Sequence, residues 1–158
     1  MEQTDQLNKS ERVAFGGGCF WCTEAVFLEL RGVLAVTPGY AGGQLADPSY
    51  EQVSTGRTGH AEVILIEYDP GLIAFEKLLA IFFASHDPTS LNRQGNDMGT
   101  QYRSIILYST EQQKTFAEKY IQQLLTEKKY VQSIVTELVQ LGTFYPAEEY
   151  HQQYYAGH

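Results

Sequence analysis

The chain has 158 residues, an apolar fraction of 43% and a formal net charge of -8. That length suits one domain with a sizeable core. No apolar run is long enough to span a membrane, and the acidic charge includes no basic stripe for a phosphate backbone. We therefore expect a soluble globular protein whose partners include neither membranes nor nucleic acid, and a monomer.

The N-terminal segment MEQTDQLNKSER is polar and acidic. It lacks the basic start, apolar middle and small-residue cleavage site of a secretory signal, so we predict a cytoplasmic protein. Residues 1–11 are predicted to form a flexible tail, and residues 12–158 a single domain. Two cysteines are too few for a disulfide framework, and disulfides of intracellular proteins are usually transient and catalytic.

Apolar periodicity predicts alternating strands and helices. In chain order they are a strand RVAFGGG, a helix from Cys19 to Leu30, strands VLAVTPGYAGG and HAEVILIEYDP, a helix around Phe75–Phe83, a strand SIILYS, a helix from Glu111 to Lys128, a strand SIVTELV and a short helical turn in PAEEYHQQYYAGH. The segments ADPSYEQVSTGRTG and DPTSLNRQGNDMGTQY are predicted to be ordered loops. This order predicts an α+β fold, a two-layer α/β sandwich with a mixed or antiparallel sheet and a ferredoxin-like core.

The stretch AFGGGCFWCTEA holds both cysteines, Cys19 and Cys22. A glycine turn that leads into a helix directs backbone N–H groups and the positive end of the helix dipole at Cys19. We expect both effects to lower the pKa of this thiol, which makes Cys19 the candidate nucleophile. Cys22 lies one helical turn further on, within the span of a disulfide.

Other interpretations of C-x-x-C remain open at this point. Zinc would need four ligands, and the histidines are scattered singly at positions 60, 86, 151 and 158, so we predict no metal. Two packed core thiols would have no chemistry at all. A thioredoxin-like disulfide oxidoreductase is the alternative enzyme, although the bulky Phe20 and Trp21 suit a small apolar pocket better than a flat docking surface.

Four motifs resemble those of the A-type peptide methionine sulfoxide reductases. They are GCFW at 18–21, DPSYEQVSTGRTGHAEV at 47–63, NRQGNDMGTQYRS at 92–104 and AEEYHQQY at 147–154. They follow the order of the family and extend over nearly the whole chain. The resemblance implies reduction of the S epimer of methionine sulfoxide, free or in oxidised proteins. It also implies an α/β two-layer sandwich and no cofactor.

The resemblance assigns roles to matching positions. Cys19 is the nucleophile, and Glu62 is the acid that protonates the leaving oxygen, on a strand whose burial should raise its pKa. Tyr50 and Tyr102 are phenols that polarise the S–O bond, and Asp97 is a second acidic residue that acts through water. Phe20 and Trp21 form the apolar wall for the S-methyl group. Other family positions near the site are His60, Glu148, Tyr150 and His151, for which a role in orienting loops is equally open.

The chain departs from the family at the thiol that resolves the sulfenic acid. Many relatives use a cysteine in a C-terminal tail, whereas this chain has none beyond position 22, and Ser54 stands where many relatives carry another cysteine. Cys22 is therefore the predicted resolving residue, through a Cys19–Cys22 disulfide recycled by thioredoxin or another dithiol. A noncatalytic module that binds oxidised peptides is a third hypothesis.

Overall fold

The computed structural model describes residues 10–151. Its strands are β1 (Glu11–Gly16), β2 (Val33–Ala41), β3 (Ala61–Tyr68), β4 (Arg93–Gln94), β5 (Asp97–Met98), β6 (Ile105–Tyr108), β7 (Glu137–Gln140) and β8 (Tyr145–Pro146). Its α-helices are α1 (Phe20–Phe27), α2 (Tyr50–Ser54), α3 (Phe75–Ala84) and α4 (Glu111–Thr126), with 3-10 turns at Thr100–Tyr102 and Glu149–His151. Within these residues, no helix is long and apolar enough to cross a membrane.

Six strands form one mixed sheet in the order β7-β6-β1-β3-β2-β8. Every neighbouring pair is antiparallel except β6 and β7, which run parallel. The inner four strands, β6-β1-β3-β2, arise from a strand-helix-strand-strand-helix-strand order in which α1 joins β1 to β2 and α3 lies between β3 and β6. This is the predicted α+β sandwich with a ferredoxin-like core, and the fold prediction is confirmed.

The central strand β3 is apolar on both faces, which explains its central position. Ile64 and Ile66 belong to the large cluster under the helices, whereas Val63 and Leu65 belong to a smaller cluster on the opposite face. Because side chains alternate along a strand, Glu62 shares the helix-covered face with Ile64 and Ile66. The strand pattern thus places a carboxyl group beneath α1.

Helix α3 closes the large cluster. Phe75, Leu78, Leu79, Phe82 and Phe83 are all buried along one side of the helix, as their spacing predicted. Each such side chain contributes about 1.5–3 kcal/mol when fully buried. Phe15 of β1 stacks on Phe82 with 4.6 Å between the ring centroids, which fixes the helix over the strand that leads to the cysteines.

Several predicted boundaries were wrong. Helix α1 ends at Phe27 rather than Leu30, and β7, the last of the predicted strands, begins at Glu137 rather than at residue 133. The predicted loop at 46–59 contains α2, whose start is fixed by a reciprocal capping box between Ser49 and Gln52. The predicted loop at 87–102 contains the β4–β5 hairpin, and β8 was not predicted.

The terminal predictions fall partly outside the described residues. Glu11, assigned to the tail, is the first residue of β1 and pairs with Tyr68. Residues 1–9 of the predicted tail lie outside the described part of the chain. The predicted C-terminal turn is confirmed at Glu149–His151, and the remainder of that segment, 152–158, also lies outside the described residues.

Candidate functional site

The cysteine turn connects β1 to α1. Gly18 adopts a φ of +92°, a conformation that favours glycine, and its N–H donates to the backbone oxygen of Tyr102 at 3.1 Å. Gly17 lies so close to His86 that a Cβ would stand 2.7 Å from the imidazole ring. Cys19 follows as the N-cap residue of α1 with extended backbone angles. The glycines therefore allow a tight turn that places Cys19 at the start of the helix, as predicted.

The expected low pKa of Cys19 is wrong for the resting protein. Burial is the largest effect and raises the pKa of the Cys19 thiol to about 12, with the charge of Glu62 adding to the rise. Backbone hydrogen bonds from Trp21 and Cys22 do act in the predicted direction and lower this pKa. They are outweighed because desolvation penalises a buried thiolate more than two N–H donors stabilise it. Cys19 is thus a thiol before substrate binds.

Glu62 lies under the first turn of α1. It is 2% exposed, and its Oε1 accepts a hydrogen bond from the N–H of Phe20 at 3.3 Å. Its Oε2 is buried and has no hydrogen-bond partner within residues 10–151. Burial raises the pKa of Glu62 to about 7, an effect that the Phe20 N–H opposes and the charge of Asp97 reinforces. The carboxyl group is therefore a proton donor near neutral pH.

Two phenols flank this carboxyl group. Tyr50 is the first residue of α2, and Tyr102 ends the 3-10 turn before β6. Burial, followed by the charge of Glu62, raises the pKa of Tyr102 to about 12, and the same two causes raise the pKa of Tyr50. Both hydroxyl groups therefore keep their protons at neutral pH and can donate hydrogen bonds.

Aromatic rings form a wall beside the cysteine. Phe20 is buried, and its ring centroid lies 6.1 Å from that of Trp21 and 6.4 Å from that of Tyr50. The His151 ring lies 4.4 Å from Tyr50 and 5.3 Å from Trp21. Burial lowers the pKa of His151, with Glu148 opposing, so the imidazole is neutral at pH 7. The wall is therefore largely uncharged and suits an apolar group.

Glu148 holds Tyr50 of this wall through a backbone hydrogen bond. Its two oxygens accept hydrogen bonds from the Tyr40 hydroxyl at 3.1 Å and from the Tyr50 N–H at 3.0 Å. Partial burial raises the pKa of Glu148, but these hydrogen bonds, together with one from its own backbone and the proximity of His151, outweigh burial and leave the pKa below its ordinary value. Glu148 thus anchors the first residue of α2. The fully buried Tyr40 was not predicted, since one tyrosine among eleven carries no distinguishing signal.

The remaining predicted residues lie at the periphery. His60 accepts a hydrogen bond from the Gly43 N–H at 3.0 Å and contacts the Leu45 oxygen at 2.7 Å, so it ties two loops together. Asp97 lies on the β4–β5 hairpin, close enough for its charge to raise the pKa of Glu62 and Tyr102. Tyr150 is 65% exposed and packs on His151 at 4.1 Å.

Cys22 lies in the same turn as Cys19 but faces outward. Cys19 is half-buried and Cys22 is exposed, and both are present as thiols. The helical turn between them is closed by the Thr23 N–H, which donates to the Cys19 oxygen at 3.3 Å. The Cys19 thiol is thus partly shielded, and the Cys22 thiol is accessible. Among residues 10–151 no cluster of three or more metal-binding side chains occurs.

Comparison with known proteins agrees with this geometry. The family model described as peptide methionine sulfoxide reductase matches residues 11–158. The peptide methionine sulfoxide reductase MsrA of Acinetobacter baumannii (strain AYE) is 59% identical over 92% of this chain and 82% of its own length. Methionine sulfoxide reductase A of Corynebacterium diphtheriae matches with a TM-score of 0.83 and 36% identity over 94% of this chain and 75% of its own. Reduced Mxr1 from Saccharomyces cerevisiae matches with a TM-score of 0.89 and 33% identity over 95% and 86%.

A cysteine at a helix start, a buried carboxyl group beneath it and this fold are those of a thiol-based oxidoreductase. The matches extend over nearly the entire chain and agree in their description. The chain belongs to the peptide methionine sulfoxide reductase family.

Proposed function

We propose that this protein reduces the S epimer of methionine sulfoxide, free or in oxidised proteins, with Cys19 as nucleophile and Glu62 as acid. One observation carries the proposal. Glu62 is buried beneath the first turn of the cysteine helix, where its Oε1 accepts a hydrogen bond from the Phe20 N–H and its Oε2 has no hydrogen-bond partner among residues 10–151. Disulfide exchange can proceed with a thiolate as the leaving group, whereas a sulfoxide oxygen must be protonated to leave.

The proton positions explain how a buried thiol reacts. Cys19 and Glu62 both hold protons below pH 7, since their pKa values are raised to about 12 and about 7. As Glu62 protonates the sulfoxide oxygen, it becomes a carboxylate that accepts the thiol proton. The Cys19 thiolate attacks the sulfoxide sulfur and forms an S–S bond. The hydroxyl group then moves from the substrate sulfur to the Cys19 sulfur as that bond breaks, which leaves two electrons on the substrate sulfur. The products are methionine and a Cys19 sulfenic acid, and Glu62 is protonated again.

The walls of the site define one orientation of the sulfoxide. The Tyr50 and Tyr102 hydroxyls and Glu62 offer hydrogen bonds to the oxygen, whereas Phe20 and Trp21 offer an apolar surface to the methyl group. The third substituent, the methionine side chain, must then point to solvent. The sulfoxide sulfur is a pyramidal stereocentre, so only one epimer can place its oxygen, its methyl group and its side chain in these three positions at once. The resemblance to A-type reductases implies that this is the S epimer.

Cys22 completes the cycle in this proposal. Its thiol attacks the Cys19 sulfenic acid, which releases water and forms a Cys19–Cys22 disulfide. One thiolate of a dithiol reductant then attacks the exposed Cys22 sulfur, and Cys19 leaves and takes up a proton, for which Glu62 is the nearby donor. The second thiol of the reductant attacks the mixed disulfide, which releases Cys22 as a thiol and leaves the reductant as a disulfide. Mxr1 from Saccharomyces cerevisiae, the 33% identical relative above, is also known in complex with Trx2. This supports thioredoxin as the first reductant to test.

The decisive experiment is a single turnover without reductant. Reduced protein is mixed with a slight excess of S epimer, R epimer or racemate, and methionine and the intact mass are recorded. We expect one methionine per chain from the S epimer, none from the R epimer, and a protein lighter by two hydrogens. Absence of methionine with bound sulfoxide would favour a binding module. Absence of both, with reduction of protein disulfides, would favour the disulfide oxidoreductase.

The cellular setting is proposed from the same chemistry. Two cysteines that must return to thiols after each turnover require a reducing compartment, so we propose a cytoplasmic, single-domain and monomeric enzyme that repairs oxidised proteins. Cell fractionation followed by gel filtration would contradict this if the protein were recovered outside the cytoplasm or as a stable dimer.

A further inference from the structure

A buried guanidinium group lies behind the site and has no part in the proposed chemistry. Arg103 immediately follows the turn that carries Tyr102, and its side chain is only 11% exposed. Burying a charge is costly unless hydrogen bonds and an opposite charge compensate it. The contacts of Arg103 therefore indicate what this position stabilises.

Each donor edge of the guanidinium contacts a different segment. Nη1 donates to the Thr100 oxygen at 2.8 Å, and Nη2 donates to the Gly59 oxygen at 2.9 Å. Nε pairs with Glu137 of β7 at 3.1 Å. A Cβ on Gly42 would stand 3.3 Å from Nη2, so the group also packs against the end of β2. One side chain thus joins four segments of the chain.

Two of these segments carry site residues. Thr100 begins the 3-10 turn that ends at Tyr102, and Gly59 precedes β3, whose second residue is Glu62. The other side-chain bonds that hold the turn are longer and neutral: Thr100 Oγ1 donates to Gly56 at 3.3 Å, and Gln101 Nε2 donates to Ser54 at 3.4 Å. Charged donors form the stronger hydrogen bonds. Among these bonds, Arg103 therefore makes the dominant connection between the phenol and the acid.

We infer that Arg103 is a positioning residue that sets the distance between the Tyr102 hydroxyl and the Glu62 carboxyl group. It acts through two backbone carbonyls and touches neither group itself. The planar fork of arginine can bond both carbonyls and the Glu137 carboxylate at once, whereas the single ammonium of lysine cannot keep this geometry. The role rests on the proposed function, since it concerns how both donors reach one sulfoxide oxygen.

The test compares Arg103→Lys, Arg103→Ala and Arg103→Met with wild type in the single-turnover assay, over a range of S-sulfoxide concentrations. A displacement of about 1 Å at a reacting group costs up to about 100-fold in rate. We expect the maximal first-turnover rate to fall about 30- to 100-fold for Arg103→Met and about 3- to 10-fold for Arg103→Lys. The sulfoxide concentration at half-maximal rate should change less than threefold, because the apolar wall is untouched.

Arg12 provides a matched control. It pairs with Glu67 on β3 at the same 3.1 Å, but its side chain is 61% exposed, and Arg12→Met should keep the rate within twofold. Guanidinium ion at millimolar concentration should restore part of the rate of Arg103→Ala, whereas sodium ion should not. A merely structural arginine would lower the melting temperature without this rescue.

The outcomes test the positioning role of Arg103 separately from the proposed sulfoxide reduction. If wild type forms methionine but Arg103→Lys and Arg103→Met react within twofold of it, the inference is wrong. It is equally wrong if guanidinium leaves the folded Arg103→Ala protein unchanged. If Arg103→Met and Arg103→Ala do not fold, the folded Arg103→Lys protein decides, since a wild-type rate there would overturn the role. If wild type forms no methionine, the proposed function itself fails.

Discussion

Replacing Glu62 by glutamine tests the buried acid through protein stability, independently of turnover. Burial raises the pKa of Glu62 from 4.5 to about 7, so the native state holds a proton that the unfolded state has released. Stability is therefore fully present below pH 4.5 and is lost as pH rises through 7. The pKa difference corresponds to about 3 kcal/mol in total, of which about 2–3 kcal/mol is lost between pH 5 and pH 8. Glutamine has no such loss, and its Oε1 can still accept the Phe20 N–H.

The assay is urea unfolding of the reduced wild type and Glu62→Gln proteins at several pH values between 5 and 8. We expect the free energy of unfolding of the variant, relative to wild type, to rise by about 2–3 kcal/mol across that range. Glu67→Gln is the matched control on the same strand, where loss of an exposed ion pair should change stability by about 0–1 kcal/mol. A Glu62→Gln difference that stays constant with pH would refute the buried, protonated acid.

The proton held by Glu62 also predicts how the reaction rate depends on pH. A proton donor with a pKa of about 7 should give a first-turnover rate that falls about tenfold per pH unit above 7, and Glu62→Gln should be slower by about 10²–10⁴-fold. Stopped-flow measurement of methionine release, with the S epimer as the substrate, checks the pH dependence and the rate of Glu62→Gln. A variant that turned over at the wild-type rate would exclude Glu62 as the acid.

Three further changes test other parts of the site. Cys22→Ser should form one methionine per chain at the wild-type rate and then stop, with a mass gain of one oxygen; unchanged steady-state turnover with thioredoxin would remove Cys22 as the resolving residue. Tyr102→Phe should slow the first turnover by about 100-fold through loss of one donor to the oxygen, and a rate within threefold of wild type would contradict this. Gly17→Ala, whose Cβ would stand 2.7 Å from the His86 ring, should cost about 1–3 kcal/mol of stability in urea unfolding, and an unchanged midpoint would show that the turn can relax.

The apolar pattern of the sequence predicted the helices and strands correctly where the residues of the element alone favour that structure. The apolar spacing of α3 and the apolar run of β3 predicted a helix and a strand, and both are confirmed. Short elements were missed because contacts from elsewhere decide them. The strand β8 exists only because it pairs with β2, and the residues before Glu137 are diverted where the Val135 N–H donates to the Pro88 oxygen. The helix α2 had a readable signal in Ser49 and Gln52, the capping box that the loop prediction overlooked.

The chemistry of Cys19 shows the limit of local reasoning. The glycine turn and the helix start act on its thiol as predicted, but the surrounding chain buries the sulfur and reverses the net direction of its pKa. Glu62 shows the opposite case, because its position in an apolar strand already indicated a raised pKa. In both cases desolvation is the largest effect, and desolvation depends on how many distant segments close over a group.

The sequence by itself determined the family, the order of elements and the residue types available for the reaction, because four motifs and the apolar periodicity are written along the chain. Only the tertiary structure decided which protons are held, and which side chains fix the distances. Arg103 donates to the Gly59 oxygen, 44 residues away in sequence, and the Tyr40–Glu148 bond spans 108 residues. Such contacts form only when the sheet brings distant segments together, and no local pattern records them.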